Sequence, residues 1–365
     1  MNLLFLALAP LAVGQSLSEL YVENAPSSPR PYVLPHYADS HAVTIGSQLY
    51  RFTVTGPSSD YAFTLMSTNA PASGSLGVLP HIHQKHYENF FNFKGRFQLW
   101  AQHGDGEQQG RLLTQGDYGS VPRNTTHTFQ ILDPDTEMVG VISPGGFEDL
   151  FYALGKNYTS VTNTPYVPQA VNDSAAAGPS SGGISGLQRF DVYAQLDFEP
   201  RRDFVNGSAP ADADWHSIDS TTTTLGQPGE PYFIANNYGP KYLNSQQGSY
   251  QIVQPLVTST QAQDTNYTLS TIIMSRQKAT APSWIGNGAC AFEVLEGSVL
   301  IKIGSYPVAR LEAGDVAFVP RMVSYQYWTE ASYAKVLYVS SGKEGVDQRL
   351  IADGQDWGYP TFPKY

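Results

Sequence analysis

One pattern occurs twice in this chain, and it restricts the fold more than any other feature. Phe90-Phe91-Asn92-Phe93-Lys94-Gly95-Arg96-Phe97 leads, after a polar stretch, to Gly116-Asp117-Tyr118-Gly119-Ser120-Val121-Pro122-Arg123. The same order returns as Phe292-Glu293-Val294-Leu295-Glu296-Gly297-Ser298-Val299 followed by Gly314-Asp315-Val316-Ala317-Phe318-Val319-Pro320-Arg321. Each block predicts a strand, a tight glycine turn, a strand, a Gly-Asp turn and a strand ending at proline. Two ordered matches point to an internal duplication with one β-barrel per copy. Alternating runs such as 50–54, 97–101 and 298–303 fit an all-β chain, and no long run has a helical period. A length of 365 residues suits two domains. The expected division is an N-terminal barrel over 16–156, a linker over 157–205 and a C-terminal barrel over 206–365. Residues 171–183, rich in Ala, Ser, Gly and Pro, carry the linker reading; their position allows them to close over a barrel mouth.

The chemistry concentrates in the first copy, at Pro80-His81-Ile82-His83-Gln84-Lys85-His86-Tyr87-Glu88. On a strand, residues two apart face one side, so His81 and His83 point together. Glu88 opens the next strand, and His127 follows the Gly-Asp strand. Three imidazoles and a carboxylate suit Cu, Fe, Ni, Mn or Zn. His86 lies in the connecting turn, as a neighbour of the ligands or as a rival to His83 or Glu88. His36, His41, His103 and His216 have no comparable setting and are expected at the surface or as satisfied core residues. Aligned on Gly297 and Pro320, the second copy places Ser283, Ile285, Cys290 and Tyr325 where the four donors stand, so it is expected to hold no metal. Cys290, the single cysteine, excludes an intrachain disulfide and reads as a small buried hydrophobe.

These residues match the cupin pattern His-x-His-x(4)-Glu-x(6)-Gly, ending at Gly95. The second cupin motif is matched at Gly116, Pro122 and His127, with Asn124 in place of its small Gly and Ile131 in place of its final Asn. Neither departure touches a ligand. The whole chain resembles the cupin superfamily, as two jelly-roll β-barrel domains. More closely it resembles the secreted fungal quercetin 2,3-dioxygenases, glycosylated bicupins with one copper site in the N-terminal barrel. That resemblance implies one copper per chain on His81, His83, Glu88 and His127. It also implies flavonol and O2 as reactants, with ring opening to a depside and carbon monoxide.

The residues suit that chemistry. Three neutral imidazoles and one carboxylate leave a divalent ion with a single positive charge, which a deprotonated flavonol would cancel; neutrality matters in an apolar cavity. Glu88 is placed to act both as ligand and as the catalytic general base. The Irving–Williams order favours Cu(II) at such a nitrogen-rich site. Strand parity puts Phe90 beside Glu88 and Phe129 beside His127. Tyr50, Met66, Thr68, Met138, Gly140 and Ile142 lie on neighbouring runs, completing a set of substrate-contact candidates suited to a flat aromatic guest. Two rivals remain. One is a manganese cupin that oxidises or decarboxylates oxalate, which in two-barrel form would be expected to carry ligands in both halves. The other is a non-catalytic bicupin like the seed storage globulins, which needs no ligands at all.

The formal charge of −11 argues against a nucleic-acid partner. Residues 1–15 read as a secretory signal, too short for a membrane anchor, and no later run is apolar enough to span a bilayer. Asn-x-Ser/Thr sites at Asn124, Asn157, Asn172, Asn206 and Asn266 fit an extracellular glycoprotein. The metal-free barrel is expected to pack against the first or to support a homodimer.

Overall fold

The glycine turns show how closely the two copies agree. In the computed structural model, which describes residues 15–160, 162, 185–209, 215–216 and 224–364, Gly95 and Gly297 both adopt φ near the left-handed region, +72° and +75°. A side chain on Gly95 would strike the backbone of Asp135 and Thr136, and one on Gly297 the backbone of Tyr333, so each hairpin needs glycine for two reasons. Gly116 and Gly314 match in the same way, at +87° and +88°.

Each copy is a long sheet facing a short one. The first barrel pairs Gln48–Val54, Thr64–Ala70, Thr136–Ser143, Tyr87–Lys94 and Tyr118–Val121 in one sheet, and His81–Ile82, Thr125–Ile131, Phe97–His103 and Gln109–Leu113 in the other. The second barrel repeats this with Gln251–Val257, Tyr267–Met274, Ala334–Ser341, Cys290–Glu296 and Val316–Val319 against Tyr325–Trp328, Val299–Ile303 and Ala309–Leu311. Among the described residues no helix is long and apolar enough to cross a membrane.

Hydrogen bonding crosses the boundaries drawn from the sequence. The strand Tyr32–Leu34, early in the chain, pairs antiparallel with Val316–Val319 of the second barrel. The strand Tyr232–Ile234, early in the second copy, pairs with Tyr118–Val121 of the first. The two barrels therefore exchange their leading strands. The exchange is buckled alike on both sides: the carboxylate of Asp117 accepts from Asn236 N at 2.8 Å, and that of Asp315 accepts from His36 N at 2.8 Å. Among the described residues, the expected spans 16–156 and 206–365 do not form two self-contained units. The seam is one continuous apolar cluster in which Phe63, Leu65, Tyr87, Phe91 and Val141 pack with Leu256, Tyr267, Leu269, Phe318 and Val339.

The second barrel is filled. Phe292, Ile301, Tyr325, Tyr327 and Tyr338 pack its interior around Cys290, whose thiol is pushed up to about 12 by burial and is inert as a nucleophile. The ladder refines the alignment of the copies. His81 stands opposite His127, whereas Trp284 stands opposite Tyr325, so Trp284 rather than Ser283 occupies the position of His81. The connection in the second copy is one residue shorter, which a gap-free alignment misses. Cys290 opposite Val319 does correspond to Glu88 opposite Val121. Tyr325→Phe is expected to leave the metal content per chain unchanged, measured by elemental analysis after dialysis; a fall in stoichiometry would mean the two copies had been matched wrongly.

Candidate metal centre

Each of the three histidine donors is aimed by a backbone carbonyl it does not share with the others. His81 Nδ1 donates to the Leu79 carbonyl at 2.6 Å, His83 Nδ1 to the Asp191 carbonyl at 2.7 Å, and His127 Nδ1 to the Thr125 carbonyl at 3.0 Å. A carbonyl only accepts, so each Nδ1 carries the ring hydrogen and each Nε2 is left with a bare lone pair. Those lone pairs converge. His81 Nε2 and His83 Nε2 are 3.2 Å apart, and Glu88 Oε2 stands 3.2 Å from His83 Nε2 and 2.9 Å from His127 Nε2. All four donor atoms lie within 4.8 Å of one another. Burial, then the crowding of the His127 and His83 imidazoles, holds the His81 imidazole well below its ordinary value, which keeps it neutral and able to ligate. Burial pushes the Glu88 carboxyl up, and the hydrogen bonds and charge that His127 and His83 offer it when a proton rather than a cation sits between them hold it well below the usual range. Four electron pairs facing one point, with every other polar atom of the rings committed to backbone, is an arrangement that a cation stabilises and that repels itself without one. The donor set fits a metal ion. Among the described residues, Glu88 Oε1 has no hydrogen-bond partner.

The turn at Asn124 explains one departure from the cupin motif. Asn124 has φ +61°, a conformation the motif's glycine adopts freely and asparagine tolerates, and its N–H donates to the His83 carbonyl at 2.6 Å. The strand carrying His127 thus enters at the right height beside His83.

A cavity of about 450 Å³ opens on His81, Glu88 and His127, a size that suits a drug-sized ligand. His83 stays behind these three, edge-on to Phe147 with ring centres 4.8 Å apart. Of the residues expected in the wall, Tyr50, Met66, Thr68, Phe90, Phe129, Met138 and Gly140 line the cavity. Ile142 does not. It shares the inward face but is fully buried in a cluster with Val43, Phe52 and Phe147, because a helix covers the end of its strand. That helix, Glu148–Leu154, escaped the sequence reading. Phe147, Leu150, Phe151 and Leu154 all reach the cavity. Their i, i+3, i+4, i+7 spacing was the available signal. The helix is pinned by Glu148, whose buried carboxylate accepts from Gly56 N at 2.7 Å and Thr64 Oγ1 at 2.6 Å. Leu187 and Val192, from the connection between the barrels, and the loop at 76–80 close the remaining sides.

His86 is not one of the four converging donors. Its Nδ1 is 2.8 Å from Asp191 Oδ2, and its ring rests against Phe147. His36 pairs with Glu137 and His216 with Asp117, both satisfied as expected. Asn124, Asn157, Asn206 and Asn266 are exposed. Asn172 and residues 1–14 lie outside the described residues, as does the segment 171–183 considered as a closing loop.

No family model matches the chain. Whole-chain comparison decides instead. The chain is 61% identical over 348 residues to quercetin 2,3-dioxygenase of Aspergillus japonicus, covering 95% of this chain and 99% of that protein. It belongs to the quercetin 2,3-dioxygenase family. A quercetin 2,3-dioxygenase of Bacillus subtilis is 32% identical over 170 residues, 47% of either protein. In fold, the chain is similar to the oxalate decarboxylase of Lactobacillus farciminis, solved as a formate complex. The TM-score is 0.52 at 13% identity, over 88% of this chain and 89% of the other. At that identity the likeness speaks for a bicupin architecture alone. Membership of the dioxygenase family fits a metal-binding enzyme acting on a small molecule with O2.

Proposed function

We propose that this chain is a secreted, copper-dependent dioxygenase that opens the heterocycle of flavonols such as quercetin with O2, giving a depside and carbon monoxide. The observation that carries it is the four-donor set opening onto an apolar cavity, in a chain of this family. His81, His83, Glu88 and His127 would hold the ion, whose Cu(II) form supplies Lewis acidity and a one-electron couple. The chain's own groups do the rest. The flat substrate lies between Phe90, Phe129 and Met138 on one side and Phe147 and Phe151 on the other, which exclude water from the reacting ring. Glu88 Oε1 accepts the flavonol hydroxyl proton while Oε2 stays among the imidazoles. The electron-rich anion so formed is the species that O2 attacks. The apolar start of the chain and the exposed sequons support export and glycosylation.

An oxalate-converting manganese cupin is the weaker reading. Among the described residues no Lys or Arg lines the cavity, so a small dianion would be buried without a partner. A non-catalytic bicupin has no use for a donor set so fully preorganised.

The test is metal analysis with electron paramagnetic resonance of the purified protein, before and after adding quercetin. About one copper per chain and a spectrum that changes on addition support the reading; manganese in its place, with oxalate turnover, would replace it. The cavity is tested by Gly140→Val. Gly140 faces Met66, and even a Cβ there would stand 3.0 Å from Met66 Cγ. The larger side chain is expected to overpack against Met66, at about 1–3 kcal/mol, and to narrow the cavity, read as a raised KM at unchanged copper content.

A further inference from the structure

The connection between the barrels does more than join them. Tyr193–Ala194 adds a strand to the edge of His81–Ile82, placing Ala194 opposite His81 and Tyr193 opposite Ile82. Just before it, Asp191 turns back on the loop between His83 and Glu88. Its backbone carbonyl accepts from His83 Nδ1 at 2.7 Å. Its carboxylate accepts from Gln84 N at 3.0 Å, Lys85 N at 2.8 Å and His86 N at 3.0 Å, and pairs with His86 Nδ1 at 2.8 Å. Three successive backbone N–H groups wrap one carboxylate as they would wrap a bound anion. Asp191 is 4% exposed and sits at φ +63°, a conformation Asp tolerates better than most side chains.

We propose that Asp191 is a positioning residue for the metal, clamping the 84–86 loop and the ring of His83, so that metal binding and the seating of segment 185–194 are reciprocally coupled. This rests on the assignment of His81, His83, Glu88 and His127 as the ligands. The physical reason is that a single residue fixes both the tautomer of one ligand, through its carbonyl, and the height of the loop that sets the spacing from His83 to Glu88, through its carboxylate. Freeing the loop lets the imidazole rotate away from the common centre. Outer groups of this kind typically cost tenfold to hundredfold in metal affinity when removed. Coupling runs both ways, since whatever tightens the metal on adding the clamp must tighten the clamp on adding the metal.

The experiment uses the full-length protein with Cu(II) as the probe. Asp191→Asn keeps the size and the tolerance of left-handed backbone, but it loses the charge and turns an amide NH2 toward groups that themselves donate. It is expected to weaken Cu(II) affinity about tenfold or more and to alter the copper hyperfine splitting, with circular dichroism unchanged. In the parent protein, Cu(II) is expected to slow amide hydrogen exchange across 185–194; in Asp191→Asn that protection shrinks. Gln188→Ala, at an exposed position on the same segment, should behave as the parent. Asp191→Asn with parental affinity and hyperfine splitting would overturn the clamp. Parent protein that binds copper equally well after His81→Ala would instead overturn the ligand assignment beneath it.

Discussion

Glu88→Gln is expected to abolish nearly all turnover, by a factor of about 10² to 10⁴, and to weaken metal retention as well. The two losses have separate origins. Glutamine is neutral, so the ion loses the one negative charge among its donors. The amide NH2 can also turn toward the bare Nε2 of His127, which stands 2.9 Å from the carboxylate oxygen, and so fill the centre with a hydrogen in place of a metal. An amide in addition cannot accept the substrate proton. Metal content after dialysis reads the first loss. Turnover at saturating added Cu(II) reads the second, and it should stay low when the metal is restored. Full activity in Glu88→Gln would remove this carboxylate from the mechanism.

Asp117→Ala is expected to be strongly destabilising. Asp117 is fully buried. Its carboxylate accepts from Thr114 N at 2.7 Å, Thr114 Oγ1 at 3.0 Å, Asn236 N at 2.8 Å and His216 Nε2 at 2.8 Å. Alanine would strand the two backbone donors, each costing about 1–3 kcal/mol when buried without a partner. It would also release the end of the exchanged strand Tyr232–Ile234. A loss of about 2–6 kcal/mol follows, visible as a lower denaturation midpoint in urea followed by tryptophan fluorescence. Asp315→Ala, at the equivalent but half-exposed position, should lose less. A change within the scatter of ordinary surface substitutions, about 0.5 kcal/mol, would show that the buckle carries no load.

What can be read from the chain divides along physical lines. Strand parity is strict, so His81 with His83, Phe90 beside Glu88, and the inward Met66, Met138 and Gly140 follow from spacing alone. Parity reports the face of a strand but not what covers that face, and it misplaces Ile142 for that reason. The helix over it is written in Phe147, Leu150, Phe151 and Leu154, but seven residues between strand-like runs are easily absorbed into them. Tyr32–Leu34 and Tyr232–Ile234 are three-residue apolar strands, and nothing within such a run says which sheet it will join. Asp191 stands more than a hundred positions from the loop it holds, beyond the reach of any local pattern.

The crossed strands have a consequence for the chain as a whole. Severing it between the copies would strip Tyr118–Val121 and Val316–Val319 of an outer neighbour, leaving two bare, valine-containing rims that invite self-association. This is the anatomy of a swapped pair of identical subunits stitched into one polypeptide. Each barrel is incomplete without the other, so the second barrel serves the first as a structural partner whatever chemistry it carries.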